Sequence, residues 1–206
     1  MQDVLLSTTY FGPVQWYQKL HRAEHVWIEG WESFQKQTYR NRCLIATTQG
    51  IQALTVPTER GGSPLIRDIR ISDHGNWRHL HRNALMSAYG ESPFFEYYQD
   101  DIRPFFEQRW DYLLDFNEAI CLKMCELIDI APCISFTTEY SHSTLLTPPS
   151  SINDYRSAIR PKNPEADSDF EPKPYYQVYQ QKHGFLPNLS ILDLLFNMGR
   201  EGIFFL

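Results

Sequence analysis

The stretch DVLLSTTYFGPVQWYQKLHRAEHVWIEG, residues 3–30, decides the fold class of this chain. Its opening, DVLLSTTYF, is typical of a strand, and HVWIEG at its end is typical of a second one. Between them, Pro13 suits the first turn of a helix that continues to about Arg22. The order strand, helix, strand predicts an α/β fold with a β-α-β start.

Further strands are expected directly after this start. SFQKQTYRNRCLIAT (33–47) and IQALTVPT (51–58) predict two antiparallel strands, joined by a short turn that ends at Gly50. LIRDIRIS (65–72) predicts one more strand. The prediction for the first third of the chain is therefore a mixed sheet with antiparallel strands.

The period of the apolar residues changes to that of a helix from Asn76 onward. Further helices are expected near Pro104 and from Asp115, where Asp115 and Glu118 resemble a capping box. The sequence therefore predicts a helical C-terminal half. The apolar stripe of the helix after Asn76 comprises Trp77, Leu80, His81, Ala84, Leu85 and Ala88.

A chain of 206 residues is long enough for one well-buried core, so we expect a single domain over residues 1–206. Prolines cluster at residues 147–174, where core residues are few. This stretch predicts a surface excursion, either a lid over a site or a plain loop.

The net charge of −6 disfavours nonspecific binding to nucleic acid or to an anionic membrane. Neither a signal peptide nor an apolar run of about eighteen residues is found, so we expect a cytoplasmic protein without membrane insertion. The cysteines form no CxxC pair, and we expect all of them to be reduced and buried: Cys43, Cys121, Cys125 and Cys133.

A row of cations is the first candidate for a binding site. If FQKQTYRNRCLI (34–45) is a strand, Lys36, Arg40 and Arg42 lie on one face. Guanidinium groups bind phosphate or carboxylate in two-pronged geometry, so this face suits a diphosphate or a carboxylate. The alternative is a solvated face that balances the acidic residues.

The next predicted strand, LIRDIRIS, places Asp68 and Arg70 on its polar face, just before a loop and a helix N-terminus. Such a strand end is where open α/β sheets commonly bind ligands. The loop carries Asp73 and His74, and an adjacent carboxylate can tune an imidazole. His74 is therefore the candidate general base, with Asp73 beside it, and the alternative is a loop histidine without a chemical role.

The two other histidines of this region are interpreted as structural. In a helix, His79 and His81 point about 200° apart, so a shared metal ion is not expected. His81 lies in the apolar stripe, where it is most simply a packed histidine with one nitrogen satisfied. No metal site is predicted here.

The stretch LPNLSILDLLFNMGREG (186–202) predicts a buried helix that carries polar residues. In one interpretation Ser190 caps the helix, Asp193 completes a capping box and Gly199 ends the helix. In the other, Asp193 and Asn197 line a pocket. Both interpretations are kept open.

The order of several segments resembles the WbqC-like family of bacterial proteins over about Leu5 to Gly199. The segments are TYFGPVQWY (9–17), KQTYRNRCLI (36–45), HGNWRHLHRNAL (74–85), AYGESPFFEYY (88–98) and FLPNLSILDLLFNMG (185–199). The opening reads Tyr-Phe-Gly-Pro where many members have Tyr-Leu-Pro. The family positions matched here are Tyr10, Pro13, Arg40, Asn41, Arg42, Asn76, Trp77, Tyr89, Pro93, Phe94, Asp193, Asn197 and Gly199.

The family takes its name from surface-polysaccharide (O-antigen) gene clusters, and the resemblance implies a transferase. It would pass a glycyl or other acyl group to the amine of a nucleotide-linked amino sugar, so the implied partners are a nucleotide sugar and an acyl donor. Arg40 and Arg42 would bind the diphosphate or the donor's carboxylate, and Asn76 would orient the sugar. This hypothesis requires a cleft that joins the arginines to His74 and Asn197.

The alternative is a noncatalytic protein that binds a glycan or a partner protein through its aromatic residues. A contiguous exposed patch of the four aromatic residues in SPFFEYY would support it: Phe94, Phe95, Tyr97 and Tyr98. Their burial would count against it.

Overall fold

The computed structural model describes residues 2–59, 61–141 and 152–206. Its first sheet is wholly parallel and consists of β1 (Val4–Ser7), β2 (Val26–Glu29), β5 (Ile134–Phe136) and β6 (Asn153–Asp154), in the spatial order β5-β2-β1-β6. A separate antiparallel hairpin consists of β3 (Arg42–Thr47) and β4 (Gly50–Thr55). The α/β class is therefore confirmed, but parallel and antiparallel strands lie in two sheets rather than in one.

The helices follow the strands along the chain. They are α1 (Val14–Arg22), α2 (Trp77–Tyr89), α3 (Phe95–Ile102), α4 (Pro104–Glu107), α5 (Leu113–Leu127), α6 (Gln180–His183) and α7 (Ile191–Met198).

β1 is one of the two central strands of the parallel sheet, and its sequence shows why. All four residues of β1 are buried, as expected for a parallel strand that is covered on both faces. The chain leaves β1, turns at Pro13 into α1 and returns as β2, which pairs in parallel with β1. A parallel pair needs such a crossover, because a tight turn can only join antiparallel strands.

Part of the Pro-rich stretch packs against the core, although it was predicted to be a surface excursion. Residues 147–151 lie outside the described residues, but the following residues supply β6, which pairs with β1. Ile159 is buried in the core, and Asp167 forms an ion pair with Lys19 of α1 at 2.8 Å. Residues 152–159 and Asp167 are therefore docked against the sheet and α1, whereas most of residues 161–174 are exposed. The C-terminal half contributes both β5 and β6 as well as helices.

Two predicted strands are wrong in extent. Residues 33–41 are turns, with Gln37 at a φ of 62°, and β3 begins only at Arg42. The stretch 65–72 holds a short 3-10 helix, Ile66–Asp68, followed by isolated bridges. The alternating faces assumed for both stretches therefore do not exist.

The helix after Asn76 was placed correctly, although Leu80 of its predicted stripe is 59% exposed. α5 begins at Leu113, not at Asp115, and its N-cap residue Tyr112 makes no side-chain cap. α3 was not predicted, because its aromatic residues were considered only as a cluster.

One hydrophobic cluster connects the sheet, the hairpin and the helices. α7 is almost wholly buried and packs against α1, α3 and β3. No helix in the described residues is long and apolar enough to cross a membrane.

Candidate functional site

Polar residues gather at the carboxyl ends of the four parallel strands. Ser7 ends β1, Glu29 ends β2, Thr137 follows β5 and Asp154 ends β6. In a parallel sheet these ends lie at one edge, which is where α/β folds bind ligands. Hydrogen bonds join the ends of β2, β5 and β6 in one network, and a second network holds the end of β1.

Glu29 is fully buried and its carboxylate joins three of the strand ends. Its Oε1 accepts from Thr137 Oγ1 at 2.7 Å and from the Trp31 backbone N–H at 2.8 Å. Its Oε2 accepts from the Ser141 backbone N–H at 2.9 Å and from Arg156 Nη1 at 3.3 Å. Arg156 in turn binds Asp154 through Nη2 at 2.7 Å. A buried carboxylate needs such partners, so this network fixes the chain after β5 and β6 against β2.

A second buried ion pair fixes the end of β1. Arg40 Nε and Nη2 donate to the two oxygens of Glu32, at 2.8 and 2.5 Å, and Nη2 also donates to Ser7 Oγ at 2.8 Å. Arg40 is 3% exposed, because the turn that replaces the predicted strand carries it inward.

A cavity of about 340 Å³, here called the arginine cavity, opens above these two networks. Its polar walls include Glu32, Arg40, Asp154, Arg156 and Arg160. Arg160 donates only to the Arg156 carbonyl and to Ser157 Oγ, and it has no ion-pair partner in the described part of the chain. Arg160 is therefore a half-buried guanidinium that can bind an anion without losing a carboxylate partner.

A neighbouring cavity of about 430 Å³, here called the acidic cavity, shares Trp31 with the arginine cavity. Three carboxylates line it: Asp68, Asp115 and Glu118. Trp31 is held by its Nε1 donating to the Thr137 carbonyl at 3.1 Å, and the Arg67 guanidinium lies 4.1 Å from the centre of its ring. The two cavities adjoin at Trp31 near the carboxyl ends of β2 and β5, and together they are called the crevice. Arginines are prominent in the first cavity, whereas the second has three carboxylates and Arg67, whose Nε lies 3.8 Å from Asp68 Oδ1.

The pKa of Glu118 is raised in this crevice. Partial burial raises its pKa, and the neighbouring Asp115 carboxylate raises it further. A carboxylate of raised pKa is a better proton acceptor than an ordinary one.

Two of the residues predicted for the site line this crevice: Arg40 in the arginine cavity and Asp68 in the acidic cavity. The cleft required by the sequence hypothesis is not found, because His74, Arg42 and Asn197 line neither cavity. Lys36 is exposed and lies outside both cavities as well.

His74 lies on an exposed loop, and Asp73 is engaged elsewhere. Asp73 forms ion pairs with Arg78 and Arg109, and hydrogen bonds from these two guanidinium groups lower its pKa. Asp73 therefore acts as a bridge between α2 and the chain before α5, and the geometry gives no support to a base at His74.

His81 and Tyr10 form a buried pair, with His81 Nδ1 2.9 Å from Tyr10 Oη. Burial lowers the pKa of His81 to about 4, so the imidazole is neutral at pH 7. The interpretation of His81 as a packed histidine agrees with this geometry. His79 is exposed and contacts Asn83.

Asp193 and Asn197 are fully occupied inside the protein. Asp193 accepts hydrogen bonds from Tyr89, Tyr175 and Gln177, and burial raises its pKa. Ser190 caps α7 by accepting from the Leu192 N–H, but Asp193 does not complete a capping box. Both side chains hold α7 to its neighbours.

Most of the remaining predicted site residues have structural partners, whereas the exposed Asn76 makes no side-chain cap. Asn41 Nδ2 donates to the Val56 carbonyl, and Arg42 Nε donates to Thr55 Oγ1. Arg70 lies over the ring of Tyr112, at 5.1 Å. Asn76 is the N-cap residue of α2 in a left-handed conformation, and the Trp77 indole donates to the Ser72 carbonyl.

The cysteine prediction is wrong at one position. Cys43, Cys121 and Cys125 are buried, but Cys133 is exposed, with its Sγ 3.2 Å from His25 Nδ1. In the described residues no group of three or more His, Cys, Asp or Glu side chains is placed to hold a metal ion.

Sequence reasoning missed Glu29, Arg156, Arg160 and Glu118. One signal was present for Glu29, because a carboxylate that ends a buried strand faces the ligand-binding edge of a parallel sheet. The arginines follow a strand of only two residues, which has no recognisable pattern.

Similarity to known proteins extends over most of the chain. A family model described as the WbqC-like protein family matches residues 8–204. Rv1507c of Mycobacterium tuberculosis (strain ATCC 25618 / H37Rv), described as an uncharacterized protein, is 27% identical over 188 residues, which cover 82% of this chain and 81% of Rv1507c. No solved structure matches.

Proposed function

The chain belongs to the WbqC-like protein family, and from this premise we propose that it is a cytoplasmic transferase of surface-polysaccharide biosynthesis. It passes an acyl or glycyl group to the amine of a nucleotide-linked amino sugar. One observation carries the proposal: a cavity rich in arginines and a cavity with three carboxylates adjoin at Trp31, near the carboxyl ends of the strands. A nucleotide-linked amino sugar carries a diphosphate and an ammonium group, so its charges complement those of the crevice.

The arginine cavity binds the diphosphate. Arg160 is the first contact, because it has no carboxylate partner in the described residues. Arg40 and Arg156 are already paired with Glu32, Glu29 and Asp154, so they supply N–H donors near the floor of the cavity, and Arg160 supplies the cation without a carboxylate partner in the described residues. Planar guanidinium groups match the geometry of phosphate oxygens.

The acidic cavity binds the amine. Asp68, Asp115 and Glu118 attract the ammonium form, and the sugar ring lies along Trp31. An ammonium has no lone pair and cannot attack a carbonyl, so a base must first take its proton. Glu118 is that base in our proposal, since its raised pKa brings it closer to the pH of the reaction.

The chemical step is then an acyl transfer. The neutral amine nitrogen forms a bond to the carbonyl carbon of an activated acyl donor, and the bond from that carbon to its leaving group breaks. The electron pair of the broken bond leaves with the leaving group. Of the two protons that the ammonium nitrogen loses on becoming an amide, the first stays on the Glu118 carboxylate until solvent takes it, and the second goes to the leaving group.

The noncatalytic alternative receives less support. Phe95 and Tyr98 are 7% and 5% exposed, whereas Phe94 and Tyr97 are 37% and 74% exposed. The four aromatic residues therefore do not form the contiguous exposed patch that the alternative requires.

Calorimetric titration with three probes tests the proposal: a nucleoside diphosphate, a nucleotide-linked amino sugar and its N-acetylated form. We expect Arg160→Gln to weaken all three by about tenfold or more, since it removes the contact to the diphosphate. Glu118→Gln is expected to weaken only the amino sugar, by a similar factor. The control Lys36→Gln removes an exposed cation outside the crevice and is expected to change nothing.

If the wild type binds none of the probes, the substrate class is wrong. If it binds them but Lys36→Gln weakens binding as much as Arg160→Gln, the attraction is a property of the net charge, and the arginine cavity is not the site. If Glu118→Gln no longer bound the N-acetylated probe, the proposed contact between Glu118 and the amine would be contradicted.

A further inference from the structure

A third, smaller cavity lies at the carboxyl end of β1, between the loop after β1 and the chain after β6. We call it the inner cavity. Its volume is about 10 Å³, which is room for one oxygen atom or one water molecule. Thr9, Arg40 and Arg156 are among its walls.

Thr9 is the unusual member of this cavity. It is 3% exposed, and its Oγ1 has no hydrogen-bond partner in the described residues. The hydroxyl lies close to Gly12: a Cβ added at position 12 would be only 2.3 Å from Thr9 Oγ1. A buried hydroxyl without a partner lowers stability, so its presence calls for a water or a ligand that completes it.

The two arginines link the inner cavity to the arginine cavity, since Arg40 and Arg156 line both. Their contacts to described residues use Nε, one Nη1 hydrogen and both Nη2 hydrogens of each guanidinium. One Nη1–H of each is left without a partner among the described residues, because a guanidinium has five N–H groups.

The two free N–H groups can only donate, and the Thr9 hydroxyl, which can donate or accept, is able to donate as well, whereas an ionised phosphate oxygen accepts. We propose that the inner cavity receives one oxygen of the substrate's phosphate group and that the Thr9 hydroxyl donates a hydrogen bond to it. This inference rests on the proposed function, because the rest of the phosphate lies in the arginine cavity. Thr9 is then a substrate-binding residue that the loop after β1 holds in place.

The variant Thr9→Val tests this, because valine keeps the shape of threonine and removes only the hydroxyl. Binding of inorganic pyrophosphate and of a nucleoside diphosphate is measured by calorimetry, and the unfolding midpoint is measured without ligand. We expect binding to weaken by about tenfold and the midpoint to stay or to rise by about 2 °C. Thr38→Val serves as contrast, since the Thr38 hydroxyl has two partners and its removal is expected to lower the midpoint.

Unchanged binding in Thr9→Val would show that the inner cavity holds only a water, and the inference would be overturned while the proposed function stands. A lower midpoint would reveal a structural partner of the hydroxyl and would also overturn it. If the wild type binds neither probe, the proposed function fails and this inference with it.

Discussion

His81 is a neutral imidazole held between Tyr10 and Trp77 in the core. Its pKa is lowered from 6.5 to about 4, mainly by burial. Between these two pH values the unfolded chain binds more protons than the folded one, so the free energy of unfolding falls as the pH is lowered through this window. The full shift corresponds to about 3 kcal/mol.

The variant His81→Gln isolates this contribution, because glutamine does not titrate. We expect the loss of stability between pH 6.5 and pH 4 to be smaller in the variant than in the wild type, by up to about 3 kcal/mol. Urea denaturation at several pH values measures this. If the free energy of unfolding depended on pH in the same way in both proteins, the folded state would accept a proton on His81 without a loss of stability.

The row of cations Lys36, Arg40 and Arg42 was predicted only in part from the sequence. Arg40 was predicted to be a ligand-binding cation, and it does line the arginine cavity. Its neighbours Lys36 and Arg42 were grouped with it only because a strand was assumed. The burial of Arg40 against Glu32 depends on a turn that local residue types do not specify.

At the scale of elements, two buried polar side chains of α7, Asp193 and Asn197, hold the segment before α6. Tyr175 donates to Asp193 Oδ2 at 2.7 Å, and the Val178 N–H donates to Asn197 Oδ1 at 3.1 Å. These bonds tie residues 175–178 to α7. Polar groups in an otherwise apolar helix therefore act as its attachment points.

Tyr175→Phe is expected to lower the free energy of unfolding by about 1–3 kcal/mol, because Asp193 is left buried with one donor fewer. Tyr176→Phe is the control, since Tyr176 is 51% exposed, and it is expected to change stability by less than about 0.5 kcal/mol. Denaturation measures both, and hydrogen exchange of Val178 should become faster only in Tyr175→Phe. Equal effects of the two variants would refute the attachment.

Helices were predicted correctly where the local spacing of apolar residues is sufficient to specify them. α2 follows from its apolar spacing, and the buried residues Ile120, Met124 and Ile128 were placed correctly on one stripe around α5. The crevice was beyond reach for another reason. Its walls are the ends of strands whose spatial order, β5-β2-β1-β6, is a tertiary property that the residue pattern does not encode.

At the scale of the whole molecule, the packing divides the thiols into one accessible group and three protected groups. Cys133 precedes β5 and is exposed, whereas the three others lie in the core. Burial raises the pKa of the Cys43 thiol to about 12, so almost no thiolate is present there at neutral pH.

We expect an aromatic disulfide reagent to modify one thiol of the native protein quickly and the other three only after unfolding. Cys133→Ser should abolish the fast reaction and leave the slow one. The absorbance of the thiolate released from the reagent, measured with and without denaturant, gives the number of reactive thiols in the unfolded and in the native protein. Fast reaction of two or more thiols in the native protein would contradict the packing of α5 or of β3.

The position of β6 has a consequence for how the protein folds. β1 is made first, but its partner on one side, Asn153–Asp154, arrives only after most of the chain has been synthesised. Closing so long a loop is slow compared with forming a local hairpin or helix. The floor of the crevice, which needs Arg156 beside Glu29, is therefore assembled late. A nascent chain that has exposed β1, β2 and the hairpin still lacks most of the core residues and has no crevice, so ligand binding reports on the completion of folding.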